Sequence, residues 1–338
     1  MEAKINLGQI WGIPIGLHLS WFLVFGLITS SLAVGYFPVE YPELTPIAYW
    51  FLGSITSILF FGSVLLHELG HSILAIRNEI PVHSITLFIF GGVARIGREP
   101  RTPGAEFRIA IAGPLTSLAL AAGFAGLWQL DRHIPYLAAP TLWLARINFI
   151  LAVFNMIPGF PLDGGRVLRS VVWKFTGNYL GSTRIAAFTG QLIAFGFIGW
   201  GVFTVLRGNF FNGLWLVFIG WFLQNAAATS YSQANLRELL KGTKVAQVMS
   251  TECIRIPSQL PLSRLINDHI LTGGNRCFLV TEGDVLRGIL TLRDISKTPR
   301  SIGIESQLEK LCYPGKNWYR CTPRWNCWRP CKRWMITM

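Results

Sequence analysis

The chain has 338 residues, of which 51% are hydrophobic and only 14% charged, and its formal net charge is +13. Soluble domains carry about 25% charged residues, so a water-facing globule is excluded, and so is a disordered chain, which is polar and charged. The basic excess is diffuse: residues 1–230 hold 13 Lys/Arg against 9 Asp/Glu, and residues 231–338 hold 17 against 8. No clustered basic stripe of the kind a nucleic-acid partner needs is evident. The composition is that of a polytopic membrane protein.

About 20 consecutive apolar residues cross a bilayer as a helix. Six such runs are predicted: Leu17–Tyr36, Ile47–Ile76, Ala105–Trp128, Leu137–Ile157, Arg184–Leu206 and Phe210–Thr229. The first has only Lys4 upstream and no small-residue cleavage site, so it is read as a retained span and not a signal peptide. Lys and Arg counts in short loops set orientation. Arg77, Arg95, Arg98, Arg101 and Arg108 crowd the second connection, and Arg166, Arg169, Lys174 and Arg184 the fourth, whereas the intervening loops are nearly bare. Both termini are therefore expected in the cytoplasm, in the cell membrane. Arg146 falls inside the fourth run, where it must snorkel or pair. Between the second and third runs, Ser84–Arg95 is too short to span, is rich in β-formers and contains Gly91-Gly92. It predicts a short strand or re-entrant hairpin at the membrane edge, an edge able to accept an extended peptide.

The chemistry-bearing motif is His67-Glu68-Leu69-Gly70-His71, near the end of the second run. On a helix, two His residues four apart share one face and can bind one zinc ion, with the adjacent Glu as general base. A catalytic zinc needs a third protein ligand. Positions 74 and 77, where a soluble pattern would place it, are Leu74 and Arg77. Glu79, Glu99 and Glu106 lie in or beside the basic loop and are weaker candidates. Asp163, in Asn155-Met-Ile-Pro-Gly-Phe-Pro-Leu-Asp-Gly-Gly-Arg166, is better placed: Pro158 and Pro161 break the helix, and Gly164-Gly165 permit close backbone approach. The competing role for Asp163 is to cap the helix that begins near Arg166.

These paired motifs resemble the site-2 protease family of intramembrane zinc metalloproteases over residues 10–230, a likeness that extends to Gly91-Gly92 and to Gly113-Pro114. The resemblance implies one zinc ion held by His67, His71 and Asp163, with Glu68 activating water for attack on a peptide bond in a membrane-anchored substrate. It also implies that Asn155 holds substrate or stabilises the oxyanion; an interhelical hydrogen bond is the alternative.

Residues 241–298 change character, alternating short β-like runs with a helical stretch near Leu262–Leu271. Val248-Met249, Arg276–Val280 and Gly288–Asp294 resemble one CBS repeat, which implies adenine-nucleotide contacts at Thr291 and Asp294 and homo-oligomers through CBS pairing. Residues 299–338 read as a degenerate second repeat, frameshifted or truncated; their Cys312, Cys321, Cys327 and Cys331 match no usual zinc spacing. The expected architecture is thus a polytopic α-helical membrane protein of about six spans with a membrane-edge β segment, divided as 1–230, 241–298 and 299–338, and carrying a small cytoplasmic α/β CBS domain. The competing reading is a transporter or channel with a CBS regulatory domain, although no internal repeat of the transporter kind is found.

Overall fold

The computed structural model describes residues 5–89, 91–244, 247, 254–271, 277–283, 285–292, 295 and 313–314. It divides into two compact units, Met1–Leu236 and Arg237–Met338.

The first unit opens with a hairpin of β1 (Ile5–Ile10) and β2 (Ile13–Leu17). Its two turn residues, Trp11 (φ 49°) and Gly12 (φ 78°), both sit in the left-handed region, as the tightest hairpin turns require. Helix α1 (Ser20–Ser30) continues through a π-helical stretch, Ser31–Tyr36, into the short α2 (Phe37–Glu40). Then come α3 (Pro46–Arg77), the strands β3 (Val82–Phe88) and β4 (Gly91–Ile96), and helices α4 (Pro103–Asp131), α5 (Pro135–Asn155), α6 (Asp163–Thr176), α7 (Tyr179–Leu206) and α8 (Phe210–Leu239). Among the described residues, six helical stretches are long and apolar enough to cross a membrane, in agreement with the six predicted runs.

The helix starts are written locally. Thr45 and Thr102 cap α3 and α4, each accepting from a backbone N–H three residues on, with Pro at the first helical position, where its missing N–H costs nothing. Asn178 caps α7 through a 2.9 Å bond from the Gly181 N–H. Several boundaries differ from expectation: α7 begins at Tyr179 and not Arg184, and α8 runs ten residues past Thr229 to Leu239. Leu17 belongs to β2, so the first span starts at Ser20 and ends at Glu40; the fourth ends at Asn155, before Pro158. The Arg146 question is resolved by pairing: its guanidinium reaches the Tyr36 hydroxyl at 3.2 Å and Glu40 at 3.7 Å.

The strands form one sheet in the order β1-β2-β3-β4, with β2 and β3 parallel and the other neighbours antiparallel. The predicted hairpin is β3–β4. Its sheet packs on α3 through Ile13, Ile85 and Leu69, and through Leu17, Leu87 and Val64. Among the described strands, β4 pairs only with β3.

In the second unit, β5 (Ile254–Pro257), helix α9 (Leu262–Arg264, extended by a π-helical Leu265–Leu271), β6 (Cys277–Glu282) and β7 (Val285–Thr291) follow the predicted alternation, with a short β8 (Tyr313–Pro314) against β7. Ile256, Leu262, Leu265, Phe278, Val280 and Leu290 form its core. Val248, Met249, Asp294 and the four cysteines of the tail lie outside the described residues.

Candidate metal centre

Helix α3 carries the motif about 32 Å from its start, at 1.5 Å per residue. His67 and His71 are each 5% exposed and face α4, which approaches closely because Gly113 stands at the crossing. A Cβ there would collide with the Nε2 atoms of both imidazoles. Gly70 serves the same crossing: a Cβ on it would press on Thr116 Oγ1 and the Ala112 carbonyl of α4.

Two residues of α4 orient the rings. His71 Nδ1–H donates to the Ile109 carbonyl at 2.6 Å, and His67 Nδ1 pairs with the buried Ser117 hydroxyl at 2.9 Å. Because a carbonyl can only accept, the proton of His71 is on Nδ1 and the Nε2 lone pair is left for a ligand. This is the outer-shell arrangement that fixes metal-binding imidazoles.

The third donor comes from α6. After α5 ends, the loop 156–162 turns back, and Gly164 and Gly165 let the first turn of α6 nest against its backbone; a Cβ on either would strike Met156–Ile157 or Gly159–Phe160. Asp163 is the first residue of α6, whose N-cap is Leu162 without a side-chain cap bond. The capping role is therefore not the one observed: the Asp163 carboxylate turns to the imidazoles. Its Oδ2 lies 3.2 Å from His67 Nε2 and 3.1 Å from His71 Nε2, and the two Nε2 atoms are 3.3 Å apart.

The donor set fits zinc. Tetrahedral ligands at 2.0–2.1 Å from an ion are separated by about 3.3 Å, the spacing these three atoms already have. Among the described residues, His67, His71 and Asp163 are the one group of three or more His, Cys, Asp or Glu able to hold an ion.

Glu68 points to the neighbouring side, toward β4. Its carboxylate accepts from the Ala94 backbone N–H, and a Cβ on Gly92 would collide with its Cγ. Since Ala94 N–H is turned to Glu68, the edge of β4 that faces away from β3 runs past this carboxylate.

The weaker ligand candidates lie elsewhere. Glu106 is fully buried against Arg169, Glu99 bonds the Tyr179 hydroxyl, and Glu79 occupies a turn at φ 60°. Among the described residues Asn155 has no interhelical bond; its amide nitrogen donates to the Leu151 carbonyl of its own helix at 3.0 Å. Thr291 ends β7 opposite Cys277. Sequence reasoning missed Ser117 and Ile109, whose roles arise from contacts 50 and 38 residues away.

Comparison with known proteins matches the model of Peptidase family M50 over residues 55–134 and 129–197. A protein of Synechocystis named "Putative zinc metalloprotease sll0528" is 38% identical over 89% of this chain and 79% of its own length. "Putative zinc metalloprotease Rip3" of Mycobacterium tuberculosis is 34% identical over 89% and 78%. The solved Site-2 Protease from Methanocaldococcus jannaschii is 32% identical, covering 67% of this chain and 94% of that one, with a TM-score of 0.45. Relatives of this length and identity leave no room for the transporter reading: the chain belongs to peptidase family M50, the site-2 proteases, and is a zinc metalloendopeptidase of the membrane.

Proposed function

We propose that the protein hydrolyses a peptide bond in or beside the transmembrane segment of a membrane-anchored regulatory protein, with His67, His71 and Asp163 as zinc ligands and Glu68 as general base. The observation that carries this reading is the convergence of three donor atoms from two separate elements within 3.3 Å of one another, next to a carboxylate on the same helix.

When bound, the ion supplies Lewis acidity that polarises the scissile carbonyl and acidifies the attacking water. Glu68 takes the proton of that water as its oxygen attacks the carbonyl carbon, and returns it to the departing amide nitrogen. Ala94 N–H and the packing of Gly92 hold the Glu68 carboxylate in place. A helical substrate hides its amides, so it must unwind before cleavage, and an extended segment can add as a further strand along the edge of β4 that faces away from β3. The clamp expected over residues 84–95 is thereby assigned to β4, since β3 lies inside the sheet with partners on both sides. Asn155, one residue before the turn that leads to Pro158, is assigned to the substrate backbone.

The same reading takes both termini as cytoplasmic, which the Arg cluster at 77–108 supports, and takes residues 241–298 as a CBS repeat. Support for the latter is the strand–helix–strand–strand order of β5 to β7, with adenine nucleotide as the ligand class at Thr291. Glu68→Gln tests the hydrolytic proposal. Membrane proteomes with the wild type and the variant are compared, and a single-span precursor must accumulate only with the variant, which still retains zinc. Unchanged proteomes alongside intact zinc binding would refute the assignment of Glu68.

A further inference from the structure

We propose that Arg169 is a positioning residue for the metal centre: by gripping Glu106 it locks the helix carrying Asp163 onto the same helix, α4, that aims the two imidazoles. The inference rests on the ligand assignment above and extends it to a group that touches none of the ligands.

The geometry places Arg169 at a junction of three elements. Its Nε donates to Glu106 Oε1 at 2.7 Å, and Nη2 donates to the same oxygen. Nη1 donates to the Tyr179 hydroxyl of α7 at 2.8 Å, and Tyr179 in turn bonds Glu99. The guanidinium carbon lies 5.0 Å above the Phe160 ring and 4.8 Å from that of Tyr179. Phe160 belongs to the loop that delivers Asp163 and is tied to α7 by its N–H bond to the Ala186 carbonyl at 3.1 Å.

The spacing gives the junction its meaning. Arg169 is six residues beyond Asp163, about 9 Å along α6. Glu106 is three residues before Ile109, whose carbonyl orients His71, and α4 also supplies Ser117 to His67. Both halves of the donor set are therefore referred to one helix: the imidazoles directly, and the carboxylate through Arg169.

An ion pair buried to this degree, with Glu106 at 0% and Arg169 at 7% exposure, is a poor device for stability, because apolar residues of similar volume pack as well without the desolvation cost. What the pair supplies is direction. The planar fork fixes the rotation and height of α6 against α4 in a way that apolar contacts, tolerant of sliding, do not.

The test uses the full chain in detergent and zinc itself as the probe. Apparent zinc affinity is measured by chelator competition, and the fold by thermal unfolding in excess chelator. Arg169→Lys keeps the charge and loses the fork; the double variant Glu106→Leu with Arg169→Met removes both charges together and so avoids leaving one buried alone. Zinc affinity is expected to fall about 10–100-fold in the double variant, the usual effect of losing an outer-shell partner, and by a smaller factor in Arg169→Lys. The metal-free unfolding midpoint of both is expected to stay close to that of the wild type. Zinc affinity within twofold of wild type in both variants overturns the proposal. So does an affinity loss that is matched by collapse of the metal-free midpoint, since that is a merely structural role. His71→Ala separates the two levels: if it loses zinc while the Arg169 variants do not, only the positioning role fails, and if it keeps zinc, the ligand assignment falls and the positioning role with it.

Discussion

Gly113→Ala adds one methyl group at the crossing of α3 and α4, where the added carbon would lie 2.6 Å from His67 Nε2 and closer still to His71 Nε2. Ordinary contacts at such a position are 3.4–4 Å, and a close-packed interior offers no slack, so the helices must part by ~1 Å. That movement stretches the 2.6 Å bond from His71 to Ile109 and the 2.9 Å contact between His67 and Ser117 to or beyond the ~3.5 Å limit of a hydrogen bond. Each outer-shell partner is worth about tenfold or more in metal affinity, so loss of both predicts a decrease of about 100-fold, or about 2.7 kcal/mol. Chelator competition on the purified protein measures it. Gly123→Ala on the same helix meets nothing within 4 Å and serves as the silent control. Zinc affinity of Gly113→Ala within threefold of wild type would show that the imidazoles are not held against α4 as described.

Further outcomes separate the base from the metal. Gly92→Ala drives a methyl group into Glu68 and should lower kcat by about 100-fold, the cost of misplacing a reacting group by an ångström, with zinc content unchanged; loss of zinc instead would mean that Gly92 supports the ligands. Ala94→Pro removes the N–H that holds Glu68 while sparing the ladder to β3, a position where an edge strand tolerates proline. Cleavage should fall with zinc and sheet retained, and normal cleavage would contradict the hold of the Ala94 N–H on Glu68. Ser117→Ala should weaken zinc binding about tenfold, read by the same competition assay, and an unchanged affinity would remove Ser117 from the centre. Exhaustive chelation should abolish cleavage and added zinc should restore it, whereas activity surviving metal removal would contradict the zinc mechanism.

Much of this was legible in the chain. Hydropathy located six spans because a bilayer imposes a length on any apolar helix. His67, Glu68 and His71 were readable because ligand geometry on a helix is local. Asp163 was readable because Pro158, Pro161 and the glycine pair mark a backbone that must turn inside the bundle. The hairpin of β1 and β2 was not, since β1 is short and exposed throughout and its sheet is completed by β3, some 70 residues away. The turn signal at Trp11-Gly12 was the one available clue. Arg169 reads in sequence as one more basic residue of a loop. Only the fold brings it to Glu106, 63 positions earlier, and turns a residue counted for topology into a buried partner.

The depth of the site has a consequence for what leaves the membrane. His67 and His71 lie six to ten residues before Arg77, the end of α3, which is about 9–15 Å along the helix. On the proposed function, the shorter product of a cut at this level keeps about six to ten residues of a segment that needs about 20 to cross the bilayer. Such a fragment retains at most half the apolar length of an intact span, so severing loosens the hold of the bilayer on it while the longer remnant stays embedded.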